Sequence, residues 1–117
     1  MAQVIDFEKI YHDSFGQWTN GIFFAISGNY PEIDFLRQKE TYFSILTKWL
    51  NESRIVFCTP ENPLSEVWKA ETAEIISYLK ERWPMQAKHK DDSDLNYYFF
   101  EIPAMLWVKD DGTLIGS

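Results

Sequence analysis

The stretch that decides the fold is residues 31–51, PEIDFLRQKETYFSILTKWLN. Its large apolar side chains recur at helical spacing. Leu36, Phe43, Leu46 and Leu50 mark one face, and Phe35, Tyr42, Ile45 and Trp49 widen it. Pro31 suits a first helical turn, and Glu32 and Asp34 place negative charge at the end of the helix where the dipole is positive. The pattern predicts a long central helix over about residues 31–51, with its wide apolar face buried by the rest of the chain.

Before this helix the chain shows one helical pattern and one ambiguous apolar run. Residues 3–15 place apolar side chains at helical spacing and predict a first helix, which Gly16 and residues 19–21 then interrupt. Residues 22–27 (IFFAIS) are continuously apolar. This run fits a buried strand or a short buried helix, because periodicity does not separate the two. Residues 28–31 predict a turn into the central helix.

After the central helix, the pattern predicts a strand and a second helix. Residues 54–59 have the composition of a strand. Residues 66–83 have helical periodicity and end before Pro84. The residues expected on the buried side of this second helix are Trp68, Ile75, Ile76, Leu79 and Trp83.

The C-terminal third predicts a loop, a strand and a hairpin. Residues 85–95 are charged and loop-like, and residues 97–101 (YYFFE) have the composition of a strand. Residues 105–109 and 113–115 flank an Asp-Gly pair, which is a good hairpin signal because the glycine can adopt positive φ. The sequence therefore predicts a single α+β domain over residues 1–117: about three helices packed on a small, mainly antiparallel sheet with a C-terminal β-hairpin.

Length and composition fit a soluble globular domain. A chain of 117 residues with five Trp, six Tyr and nine Phe can bury one core without disulfides or metals. No stretch approaches the ~20 apolar residues that span a bilayer, and the first residues do not form a signal peptide. The expected compartment is the cytoplasm.

The balance of charge favours basic protein partners. Eighteen acidic residues against 11 basic ones give a net charge of −7, and the basic residues form no stripe. Such a surface repels nucleic acid and anionic membranes and attracts cations. We therefore expect a basic protein as partner, and neither nucleic acid nor membrane.

No recognised catalytic, cofactor-binding or metal-binding motif is present. Cys58 is the single cysteine, and its apolar flanks indicate a small buried residue of a strand. His12 and His89 have no second histidine at metal-ligand spacing. Residues 91–94 (DDSD) lack the glycine and glutamate of a calcium loop. We expect no catalytic residue, no metal and no cofactor, and hence a binding protein rather than an enzyme; carboxylates that converge only in three dimensions are the enzymatic alternative.

The outer face of the second predicted helix is a candidate partner-binding surface. Glu71, Glu74, Tyr78 and Glu81 are spaced +3, +4 and +3, so they share one side of a helix. The tyrosine ring would supply contact area, and the carboxylates would orient a basic partner. The alternative is an ordinary solvated helix face.

A second acidic patch lies in the predicted loop. Asp91, Asp92 and Asp94 can pair with the lysines or arginines that a nuclease uses to hold phosphate. The alternative is a loop kept soluble by its charge.

Three segments together resemble a known class of protein: residues 30–36 (YPEIDFL), residues 75–84 (IISYLKERWP) and residues 98–104 (YFFEIPA), the last preceding the Trp107 hairpin. They resemble a small acidic bacterial domain family of unknown function, whose members look like immunity proteins of contact-dependent growth inhibition and related polymorphic toxin systems. The resemblance covers the chain from about residue 22 to its end, and its motifs are structural.

The resemblance implies a cytoplasmic antidote that binds one cognate toxin domain, often a nuclease, and blocks its active site or a surface that it needs. It assigns a role to no single residue. The alternative function is a small regulatory or ligand-binding protein without catalytic activity. It could form a homodimer joined through its sheet, with the exposed side of residues 97–101 as the contact.

Overall fold

The computed structural model describes residues 4–116, which form five helices and one three-stranded antiparallel sheet. The helices are α1 (Phe7–Ser14), α2 (Thr19–Asn29), α3 (Phe35–Asn51), α4 (Thr72–Glu81) and α5 (Ser93–Glu101). The strands are β1 (Ile55–Phe57), β2 (Met105–Val108) and β3 (Leu114–Ile115). The predicted α+β class is confirmed, but there are two more helices than predicted.

The sheet is built around β2. It pairs with β1 in the register Ile55 opposite Trp107, and with β3 in the register Trp107 opposite Ile115. The predicted hairpin therefore exists as β2 and β3, and Gly112 adopts the expected positive φ of +86° in its turn. This conformation suits glycine because it has no Cβ to clash.

The central helix begins later than predicted, at Phe35 rather than Pro31. Asp34 is the N-cap, and its Oδ1 accepts a hydrogen bond of 2.8 Å from the Arg37 backbone N–H. Pro31 instead lies in a turn before the helix. The prediction that Leu36 is buried was wrong: its side chain is 63% exposed, because the buried face is centred on Tyr42, Ile45, Leu46 and Trp49.

The ambiguous apolar run is a helix. Residues 19–21, which were predicted to interrupt helical structure, are instead the first residues of α2. The buried residues of this helix include Ile22, Phe23 and Ile26 at helical spacing. Burial against α1 and α3 explains why the whole segment is apolar.

The second predicted helix is shorter than its periodicity indicated. Residues 66–71 precede α4 and include a bridge to the end of β1: Cys58 pairs with Val67, and the Trp68 N–H donates to the Phe57 carbonyl at 2.7 Å. Trp68 is therefore outside the helix to which it was assigned. Backbone pairing with an existing strand outweighed the local helical pattern.

The predicted strand at residues 97–101 was also wrong, since these residues belong to α5. Leu95, Tyr98 and Phe99 are its buried residues, and their spacing of three and four is that of a helix face. The strand propensity of an aromatic run was overridden by this packing. The predicted loop of residues 85–95 consequently ends at Asp92, which caps the helix.

One hydrophobic core joins all of these elements. Its largest fully buried side chains are those of Trp49, Trp107, Tyr42, Phe23 and Phe57. Within residues 4–116, no helix combines the length and apolar character that crossing a membrane requires.

Candidate functional site

A surface groove lies between α4 and the loop that follows β1. We call it the acidic groove, and it is lined by Pro60, Glu61, Trp68, Glu74, Ser77, Tyr78, Glu81 and Arg82. The loop is held by the Thr59 N–H, which donates to the Glu66 carbonyl at 2.7 Å, and by the Asn62 N–H, which donates to Thr59 Oγ1 at 3.0 Å. These bonds place Glu61 opposite the helix.

The aromatic side chains of the acidic groove hold one another in place. The rings of Trp68 and Tyr78 meet edge to face, with centroids 5.3 Å apart. The guanidinium carbon of Arg82 lies 3.4 Å from the centroid of the Tyr78 ring, and Arg82 Nη1 also donates to the Tyr78 carbonyl at 3.3 Å. Tyr78 is thus covered on one ring face by a cation, and it is half-buried rather than freely exposed.

The carboxylates of the groove are largely uncompensated. Within residues 4–116, Glu61 and Glu74 form no ion pair, whereas Glu81 lies 4.0 Å from Arg82 Nη1. Three carboxylates therefore face one guanidinium across a surface that also holds two aromatic rings. Such an arrangement can accept a lysine or arginine side chain through charge, ring contact or both.

The structure brings together three of the four residues predicted for this face. Glu74, Tyr78 and Glu81 line the acidic groove, as their helical spacing indicated. Glu71 is the N-cap residue of α4, makes no side-chain capping bond and does not line the groove.

Five of the eight residues that line the acidic groove were not predicted from the sequence: Pro60, Glu61, Trp68, Ser77 and Arg82. Glu61 belongs to a loop that no periodicity marks, and Trp68 was assigned to the buried side of a helix that begins only at Thr72. No local signal marked the later start of the helix, because residues 66–71 continue the periodicity of α4.

The second predicted patch takes part in the local structure of α5. Asp92 Oδ1 accepts a 2.9 Å hydrogen bond from the Asp94 N–H, and Asp94 Oδ2 accepts one of 3.0 Å from Gln86 Nε2. Asp91 lies beside His89, whose Nδ1 accepts from the Asp91 N–H at 3.2 Å. Asp92 is thus the N-cap of α5 and Asp94 belongs to its first turn, where negative charge and side-chain acceptors favour the unpaired N–H groups of a helix, whereas Asp91 lies just before the N-cap.

A further surface feature combines α2, α5 and the same loop. It is a small opening of about 60 Å³, the apolar cleft, lined by Trp18, Thr19, Leu64, Phe99, Phe100, Ile102, Pro103, Ala104 and Met105. Leu64 is 85% exposed, Phe100 71% and Trp18 48%. The rings of Trp18 and Phe100 meet edge to face with centroids 5.5 Å apart. This site was not predicted from the sequence, because folding brings its residues together from three distant segments.

Another surface groove, of about 880 Å³, lies between α3 and α4. Its lysines contact neighbouring groups: Lys39 Nζ lies 5.3 Å from the centroid of a Trp83 ring, Lys80 Nζ lies 5.7 Å from that of Phe43, and Lys48 Nζ pairs with Glu52 at 2.7 Å. The two contacts with rings join α3 to α4 and to Trp83, which follows α4 closely, whereas the Lys48–Glu52 pair lies within the end of α3.

The single cysteine is buried directly after β1, in agreement with its predicted environment. Burial raises the pKa of the Cys58 thiol, which keeps it protonated at neutral pH.

Within residues 4–116, no group of three or more His, Cys, Asp or Glu side chains has the arrangement of a metal site.

No protein-family model matches the chain, and comparisons with curated proteins and with solved structures found no match.

Proposed function

We propose that this protein is an immunity protein, which binds a cognate bacterial toxin domain in the cytoplasm and blocks the toxin's active site or a surface that it requires. The net charge of −7 supports a basic partner, and a nuclease domain is basic because it must hold phosphate. The resemblance of residues 30–36, 75–84 and 98–104 to immunity proteins supports the same class.

The acidic groove is the observation on which the proposal rests. Tyrosine and tryptophan side chains anchor many protein interfaces, and charges around them increase the rate of encounter with an oppositely charged partner. In the groove, Trp68 and Tyr78 lie beside the uncompensated carboxylates of Glu61 and Glu74. We propose that these carboxylates receive lysines or arginines of the toxin.

The alternative of a homodimer joined through a strand at residues 97–101 loses its structural basis, because these residues are helical. A dimer at this position would be joined through the exposed Tyr97 and Phe100 side chains of α5 instead.

The test is to co-express the protein with the toxin domain encoded immediately upstream and to measure binding of the two purified proteins. We expect protection of the cells and an association rate that falls as salt is raised. Continued killing by the toxin, with the antidote folded and abundant, would contradict the proposal.

A pair of double variants with equal change in net charge assigns the binding surface. Glu61→Gln with Glu74→Gln removes the uncompensated carboxylates of the groove, and we expect the association rate at low salt to fall about tenfold. The matched control, Glu32→Gln with Asp110→Asn, alters two exposed carboxylates outside the groove. Equal effects of the two double variants would show that the total charge, rather than the groove, attracts the partner.

A further inference from the structure

The acidic groove and the apolar cleft share one loop. Pro60 and Glu61 line the groove, and Leu64 lines the cleft. Because consecutive Cα atoms are 3.8 Å apart, the Cα atoms of Glu61 and Leu64 are separated by roughly 11 Å at most. A stable interface covers about 800 Å² of each partner, a patch about 30 Å across. A partner of this size bound at the groove is therefore wide enough to reach the cleft.

The cleft is formed before any partner binds. Its inner wall contains buried side chains of the core, among them Phe99, Ile102 and Met105. The loop that carries Leu64 is fastened to this wall, since the Ala104 N–H donates to the Pro63 carbonyl at 2.9 Å. Because the cleft is preformed, its residues lose little conformational entropy when a partner binds.

The size of the cleft selects its occupant. About 60 Å³ is less than half of the roughly 150 Å³ of an apolar cavity that holds a benzene ring. The space fits the methyl groups of a leucine, isoleucine or methionine, and it is too small for an aromatic cofactor.

The charge of the chain segments that form the cleft favours a basic protein as the source of this side chain. The cleft is built from three segments, within residues 10–36, 55–68 and 91–108, and none of these contains a lysine or an arginine. All three contain carboxylates, including Glu61, Glu66 and Glu101. A second copy of this chain would bring like charges together, whereas a basic protein would be attracted.

We infer that the apolar cleft receives an aliphatic side chain of the basic toxin domain, next to the lysine or arginine bound by the acidic groove. This inference rests on the proposed function. It adds an apolar anchor, by which we mean the aliphatic side chain of the toxin domain that enters the cleft. The groove accelerates the encounter, and the cleft determines how long the complex lasts, because burial of an apolar anchor acts on the dissociation rate.

The experiment measures association and dissociation rates of the toxin domain encoded immediately upstream with Leu64→Ser and, separately, Phe100→Ser. We expect each variant to raise the dissociation rate about tenfold or more, with the association rate and its dependence on salt unchanged. The matched control is Leu36→Ser, which alters a leucine of α3 that is 63% exposed and outside the cleft. Because Leu64 is 85% exposed, its replacement leaves the urea midpoint of the free protein unchanged.

Each remaining outcome overturns the inference in a different way. If the wild-type protein binds the toxin domain and the cleft variants dissociate at the wild-type rate, the anchor is wrong and the proposed function stands. If the wild-type protein does not bind, the proposed function and the anchor both fail. If light scattering shows a dimer that Leu64→Ser converts to a monomer, the occupant is a second copy of the chain.

Discussion

The hydroxyls of Tyr98 and Tyr42 are both buried, but they differ in hydrogen bonding. Tyr98 Oη donates a 2.8 Å hydrogen bond to the Leu79 carbonyl. Tyr42 Oη is buried without a hydrogen-bond partner among residues 4–116. Burial raises the pKa of Tyr42, and the Thr19 hydroxyl nearby offsets only part of this effect. Tyr42 therefore stabilises the core through its ring, which packs against the rings of Phe23 and Phe99.

Replacement of Tyr42 by phenylalanine should not destabilise the protein. The change keeps the ring and removes a hydroxyl whose burial the Thr19 hydroxyl offsets only in part, so we expect the free energy of unfolding to be unchanged or to rise by about 1 kcal/mol. Tyr98→Phe is the control, and it should lower that free energy by about 1 kcal/mol because a made hydrogen bond is lost. Urea denaturation measures both, and a loss above about 1 kcal/mol in Tyr42→Phe would show that its hydroxyl is bonded.

At the scale of the element, aspartates determine where three helices begin. Asp6, Asp34 and Asp92 are the N-caps of α1, α3 and α5, and the side chain of each accepts a backbone hydrogen bond from the first turn. Such a cap satisfies an N–H that has no partner within the helix. Part of the acidic composition of the chain therefore has a structural role.

Asp92→Ala should destabilise the protein by about 1 kcal/mol, because it removes the cap of α5. Asp91→Ala provides a matched control, since it removes one carboxylate from the adjacent position, which does not cap a helix, and it should change the free energy of unfolding by less than about 0.5 kcal/mol. Thermal or urea unfolding followed by circular dichroism compares the two variants. Equal effects of the two would indicate that local charge, rather than capping, stabilises the helix.

Two elements show why local patterns were not sufficient. The aromatic run at residues 97–101 has the composition of a strand, yet Tyr98 and Phe99 reach the core from a helix. Residues 66–71 continue the periodicity of α4, yet Trp68 bonds to the end of β1. In both cases a contact with a distant segment chose between two locally acceptable conformations.

At the scale of the molecule, a tryptophan of the last hairpin holds the N-terminal helices against the sheet. Trp107 Nε1 donates a 2.8 Å hydrogen bond to the Gln17 carbonyl, across 90 residues of sequence. The ring centroid of Trp107 is 5.5 Å from that of Tyr11, 5.1 Å from that of Phe15 and 5.8 Å from a ring of Trp49. Arg54 adds an ion pair of 2.8 Å to Glu8 of α1.

Trp107→Phe should lower the free energy of unfolding by about 2–3 kcal/mol, because it removes this hydrogen bond and leaves a cavity in the core. Trp18→Phe, which changes a half-exposed tryptophan, should cost about 1 kcal/mol or less. Since one core joins the elements, the transitions followed by tryptophan fluorescence and by circular dichroism should coincide in both variants. Separate midpoints would show that the molecule unfolds in parts.

The sequence by itself determined the α+β class, the central helix, the first strand and the C-terminal hairpin, because each of these depends on periodicity or turn chemistry within one segment. It also determined the negative charge and the helical spacing of Glu74, Tyr78 and Glu81. Only the tertiary structure decided that the apolar run before the central helix is helical, that Trp68 and Glu61 join the acidic groove, and that Trp18, Leu64 and Phe100 form a cleft. The physical reason is that these features depend on contacts between segments far apart in the chain. The residue pattern within one segment does not show how strong such contacts are.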